Sequence, residues 1–74
     1  MDDRGILDMV MAVLLNAHPT MTIHTKFQQI GADSQVLLDI ILDVEHQTGW
    51  EFDPDAFTSE LTPFKLSRAF RAPP

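Results

Sequence analysis

The sequence contains no cysteine. Disulfides, iron–sulfur clusters and thiolate zinc sites are therefore excluded, and 74 residues must be held by an apolar core alone. The same lack favours a reducing, cytoplasmic setting as the expectation. Basic residues are scarce: five Lys and Arg stand against eleven Asp and Glu, for a formal charge of −6. Such a surface repels nucleic-acid phosphates and anionic membranes, so neither is expected as a partner, whereas a basic protein surface would be attracted. Long apolar runs are missing as well. The stretch from Ile6 to Leu15 is interrupted by Asp8 and is too short to span a bilayer. Its flank Asp2-Asp3-Arg4 is net negative, unlike the start of a signal peptide, and no internal repeat or low-complexity tract occurs.

What is present suits one small domain. An apolar content of 45% and a charged content of 22% are ordinary for a folded chain, and the length cannot support two cores or an enzyme built around a large internal cleft. No segment keeps the alternation of a half-buried strand, so the reading is all-α: a small four-helix bundle with a long first loop and a short third helix. Asp2 or Asp3 can cap a first helix to about Asn16, with Ile6, Val10, Val13 and Leu14 at helical spacing before His18-Pro19 stops it. Residues 18–33 read as a packed loop anchored by Met21, Ile23, Phe27 and Ile30. A second helix starts at Asp33-Ser34, either of which can cap it, and runs to about Gln47, closed by Gly49. Asp53-Pro54 starts a short third helix through about Ser59, and Thr62-Pro63 a fourth from Phe64 to about Phe70. This places the domain at residues 1–70, followed by a Pro-rich tail at 71–74. The buried set is expected to include Val10, Leu14, Val36, Ile40, Val44, Leu61 and Phe70, with Trp50 and Phe52 closing the bundle and Met1, Met9, Met11 and Met21 serving initiation and core filling.

The second helix is the informative one. At 100° per residue, Val36, Leu37, Ile40, Ile41 and Val44 form a core stripe with Thr48 at its edge. Gln35, Asp39, Asp43, Glu45 and His46 lie on the opposite arc, yet Leu38 and Leu42 fall among them. Two leucines on a polar face are either covered by the Thr22–Ile30 loop or form a docking stripe. Ser34 has two readings as well. It can cap the helix, or its hydroxyl, at the positive end of the helix dipole, can bear a phosphodiester.

The run Phe27-x-x-Ile30-Gly31-Ala32-Asp33-Ser34 resembles the apolar-x-x-apolar-Gly-x-Asp-Ser motif of acyl carrier proteins. Behind it Leu38, Asp39, Ile40, Leu42 and Glu45 resemble the family's apolar and acidic positions, and Phe52-Asp53-Pro54-Asp55 resembles the approach to its short third helix. The likeness extends over nearly the whole chain. It implies a non-catalytic carrier that holds acyl, or aminoacyl, groups as thioesters on a 4′-phosphopantetheine arm supplied by coenzyme A. Ser34 would be the attachment point, Asp33 part of what a phosphopantetheinyl transferase reads, and Gln35, Leu38, Asp39, Leu42 and Glu45 the face that meets loading and processing enzymes with basic patches. Two features depart from the family pattern. Gln35 stands where a bulky apolar residue is usual, and His46 and Gln47 stand where fatty-acid carriers have acids, which favours a specialised pathway.

A monomer is expected. The competing reading is an unmodified acidic adaptor that binds a protein through Leu38 and Leu42 and uses Ser34 only as a cap. His18, His24 and His46 share no metal-ligand spacing, and no Gly-x-Ser-x-Gly turn surrounds Ser34, so neither a metal site nor a hydrolase is expected.

Overall fold

The computed structural model describes residues 2–73. Helix α1 spans Asp3–Ala17. The Asp2 carboxylate accepts the Gly5 N–H at 2.9 Å, satisfying one of the free donors of the first turn. Ile6, Val10 and Leu14 form its buried row, while Val13 is exposed. At the other end the His18 N–H still reaches the Leu14 carbonyl at 2.8 Å, and Pro19 cannot continue the ladder.

The following loop is tied down rather than loose. Thr22 and Thr25 close a turn through a 2.9 Å bond from the Thr22 N–H to Thr25 Oγ1, and Phe27–Ile30 form a 3₁₀ turn. Met21 and Phe27 are buried. The Phe27 N–H donates to the Leu61 carbonyl at 3.1 Å, and the Phe64 N–H to the Ile23 carbonyl at 2.9 Å. Lys26 pairs with Glu60 at 2.6 Å. These bonds tie the loop to residues 60–64, at the entry to the last helix.

Helix α2 spans Ser34–Thr48 and buries Leu37, Ile40, Ile41 and Val44; Gly49 closes it at φ 75°, a left-handed position where a side chain would be strained. Helix α3 spans Pro63–Arg68, with Thr62 Oγ1 accepting the Lys65 N–H at 3.2 Å. It packs mainly on α1, through a core in which Leu61 and Leu66 join Ile6, Val10, Leu14 and Phe70. Met9, Met11, Trp50 and Phe52 pack partly buried against that core.

The helical class is right but the helix count is not. In place of the expected third helix there is a 3₁₀ turn, Pro54–Ala56. Asp53 caps it by accepting the Asp55 N–H at 3.0 Å, but Phe57 leaves helical geometry and packs on the core. Thr58 then turns the chain, its hydroxyl accepting the Glu60 N–H at 3.3 Å, so a helix has nothing to propagate into. The last helix also stops early, at Arg68. Phe70–Arg71 form a two-residue strand, β2, that pairs antiparallel with β1, Glu51–Phe52. Glu51 faces Arg71 and Phe52 faces Phe70, whose ring centroid lies 5.3 Å away. Two residues per strand give no alternation to read, so the pairing could not be expected from the sequence. Val36 is a further correction. It is 44% exposed, because it lies about 40° outside Ile40 at the edge of the stripe. Met1 and Pro74, the latter the last residue of the expected Pro-rich tail, lie outside the described residues.

Candidate functional site

The junction at residues 30–36 is built from backbone rules. Gly31 adopts φ 70°, which lets its N–H and that of Ala32 turn back to the Gln28 and Phe27 carbonyls at 3.4 and 3.2 Å. The chain then enters α2 through Asp33. Its carboxylate accepts the Val36 N–H at 2.9 Å and its carbonyl the Leu37 N–H at 3.3 Å, so Asp33 is the cap.

The capping role of Asp33 decides what Ser34 can do. Of the two residues able to cap, the acid does so, and Ser34 becomes the first helical residue with an exposed side chain. Among the described residues nothing hydrogen-bonds its hydroxyl, and the N–H groups of Ser34 and Gln35 find no acceptor. A free hydroxyl thus stands beside unsatisfied donors at the positive end of a 15-residue helix, an arrangement that favours an anionic phosphodiester.

Down the same side of α2, Leu38 is 43% exposed and Leu42 59% exposed. The loop that could have covered them is instead bonded to Glu60, Leu61 and Phe64, and both leucines stay exposed. Gln35 and Asp39 are also exposed and bonded to each other, Gln35 Nε2 donating to Asp39 Oδ1 at 3.1 Å. Gln47 Nε2 donates in the same way to Asp43 Oδ2 at 2.9 Å. Glu45 is placed differently. It is half-buried, and its Oε2 accepts the Phe52 N–H at 3.0 Å, fastening β1 to α2. Each carboxylate of α2 is therefore held by one internal donor, and the helix carries no Lys or Arg to offset the charge.

On the other flank of Ser34 lies an open groove of about 310 Å³. Phe27, Ala32, Leu37 and Phe57 supply its apolar walls, and Gln28, Thr58 and Ser59 its polar rim. Phe57, Thr58 and Ser59 reach the site from more than twenty positions along the chain, by way of the 3₁₀ turn, and no local spacing could have found them. The Glu45–Phe52 tie was equally invisible, since it joins a helix to a backbone group whose position depends on the turn at Gly49.

Elsewhere, no group of three or more His, Cys, Asp or Glu among the described residues is arranged to hold a metal ion. No helix among them is long and apolar enough to cross a membrane. Compared with known proteins, residues 4–70 match a family model described as a phosphopantetheine attachment site. No curated protein and no solved structure gives a significant match.

Proposed function

Because the chain belongs to the phosphopantetheine attachment-site family, we propose that Ser34 is the residue that bears the arm and that α2 presents the loaded arm to partner enzymes. Proteins of this family are carriers, not enzymes, and hold 4′-phosphopantetheine covalently. The observation that supports Ser34 most directly is the division of labour at the start of α2: Asp33 takes the capping role and leaves the Ser34 hydroxyl exposed and unbonded. The residues fit the group. Ser34 Oγ would gain the bond to phosphorus as the pyrophosphate linkage of coenzyme A breaks and adenosine 3′,5′-bisphosphate leaves, and the unpaired N–H groups of Ser34 and Gln35 would favour the resulting anion. Among the described residues no side chain is bonded to Oγ to take the hydroxyl proton, which supports a base supplied by the transferase. When attached, the arm supplies the thiol on which an acyl or aminoacyl group is held as a thioester.

Gln35, Leu38, Asp39 and Leu42 form the face that meets phosphopantetheinyl transferase and the loading and processing enzymes, while Glu45 serves it mainly by bracing α2 against β1. The polar Gln35 beside the serine, with His46 and Gln47 further along, supports a dedicated biosynthetic pathway served by enzymes matched to this surface. The exposure of Leu38 and Leu42 also suits the second reading, an unmodified adaptor. Intact mass after incubation with coenzyme A and a transferase separates the two. The carrier gains one phosphopantetheine and Ser34→Ala gains none; a wild type left unmodified by several broad-specificity transferases overturns the carrier assignment for Ser34.

A further inference from the structure

The Gln35–Asp39 pair says something about the enzymes that meet this protein. Any enzyme that brings Ser34 Oγ to its reacting centre must also cover Gln35, the next residue along the exposed side of α2. A leucine there would need only an apolar pocket. A glutamine covered by such a pocket would lose water from both ends of its amide, which is costly unless each end is bonded. The nitrogen is already provided for, since Gln35 Nε2 donates to Asp39 Oδ1 at 3.1 Å. Its carbonyl oxygen Oε1 and the second carboxylate oxygen of Asp39 have no donor among the described residues. Two adjacent acceptors, one of them charged, on a helix without a Lys or Arg of its own match the planar donor fork of a guanidinium better than the point charge of an ammonium.

Resting on the assignment of Ser34 as the modified residue, we infer that Gln35 is a specificity-determining residue: it holds Asp39 in place and forms with it a two-oxygen edge that takes an arginine of the modifying enzyme. Gln35 both positions Asp39 and supplies one oxygen of that edge, and it makes no contact with the reacting atoms. Gln35→Met keeps length and helix propensity while removing the amide, and Asp39→Ala removes the carboxylate.

The experiment measures KM and kcat for phosphopantetheine loading from coenzyme A by a broad-specificity transferase, for the wild type, both single variants and the double. Each single variant should raise KM about tenfold at unchanged kcat, the size of one lost charge-assisted bond. The double should be no worse than the stronger single, because both changes remove the same edge. In nitrogen-15 spectra of the unmodified protein, the Gln35 side-chain amide signals should move in Asp39→Ala, which removes the acceptor of that amide. A Gln35→Met KM within about twofold of the wild type, or single effects that multiply in the double, overturns the inference while leaving the Ser34 assignment standing. Absence of loading in the wild type overturns both.

Discussion

Leu37 and Leu38 are the same residue type, adjacent in the same helix, and the structure gives them opposite exposure. Leu37 is 6% exposed within the core, and Leu38 is 43% exposed beside Ser34. Replacing each by alanine removes the same three carbons and changes helix propensity equally, so the difference between the two variants isolates packing. Full burial of three carbons at about 0.8 kcal/mol each contributes ~2.4 kcal/mol. At Leu37 the cavity left behind adds to this, for a loss of about 3–4 kcal/mol. At Leu38 nearly half of the residue already faces water and no closed cavity forms, so the loss should be about 1 kcal/mol or less. For a domain of this size each kcal/mol shifts Tm by roughly 4–8 °C, so the two variants should melt about 10–20 °C apart. Total stability of about 4–11 kcal/mol, at ~0.05–0.15 kcal/mol per residue, leaves Leu37→Ala folded but with a thin margin. Thermal melts followed by circular dichroism measure the gap, and transferase KM on the folded proteins measures docking. Leu38→Ala should raise KM while melting close to the wild type. Equal melting losses in the two variants, with KM unchanged for Leu38→Ala, would refute the assignment of Leu38 to an exposed docking face.

Three further outcomes follow from the same geometry. Ser34→Ala should alter stability by less than about 0.5 kcal/mol because the cap is Asp33, whereas Asp33→Ala should lose about 1 kcal/mol in denaturant melts; the reverse ranking would mean that Ser34 caps the helix. Glu45→Ala should destabilise by about 1–3 kcal/mol and speed hydrogen exchange at the Phe52 amide, because that half-buried donor loses its acceptor, and Glu45→Gln should restore much of both. Glu60 has its pKa held below the ordinary carboxylate value by a hydrogen bond from Lys26 and by the Lys26 charge. A depressed folded value means the stabilisation is fully present above the unfolded pKa and is lost as pH falls through the folded one. Lys26→Ala should therefore move the Glu60 carboxyl titration, followed by NMR, upward toward the ordinary value, and an unmoved titration would show that the pair does not form in solution.

Much of the candidate site is local and was legible along the chain. The Gly31-Ala32-Asp33-Ser34 junction, the start of α2 and its closure at Gly49 depend on backbone conformations and caps that each residue sets within four positions of itself. The row Leu37, Ile40, Ile41 and Val44 follows from helical periodicity, and Leu38 and Leu42 stand out because they break it. The net charge of −6 likewise depends only on composition. Three features had to wait for the tertiary structure, because each rests on contact between segments distant in sequence. The loop's backbone bonds to Leu61 and Phe64 decide that Leu38 and Leu42 stay uncovered. The packing of Phe57 on the core converts an expected helix into a 3₁₀ turn and brings Thr58 and Ser59 to the groove beside Ser34. Antiparallel pairing of Glu51–Phe52 with Phe70–Arg71 ends α3 early and positions the amide that Glu45 grips, diverting an acid from the surface to a brace. Periodicity specifies which face a residue occupies; only the folded chain specifies what, if anything, lies against that face.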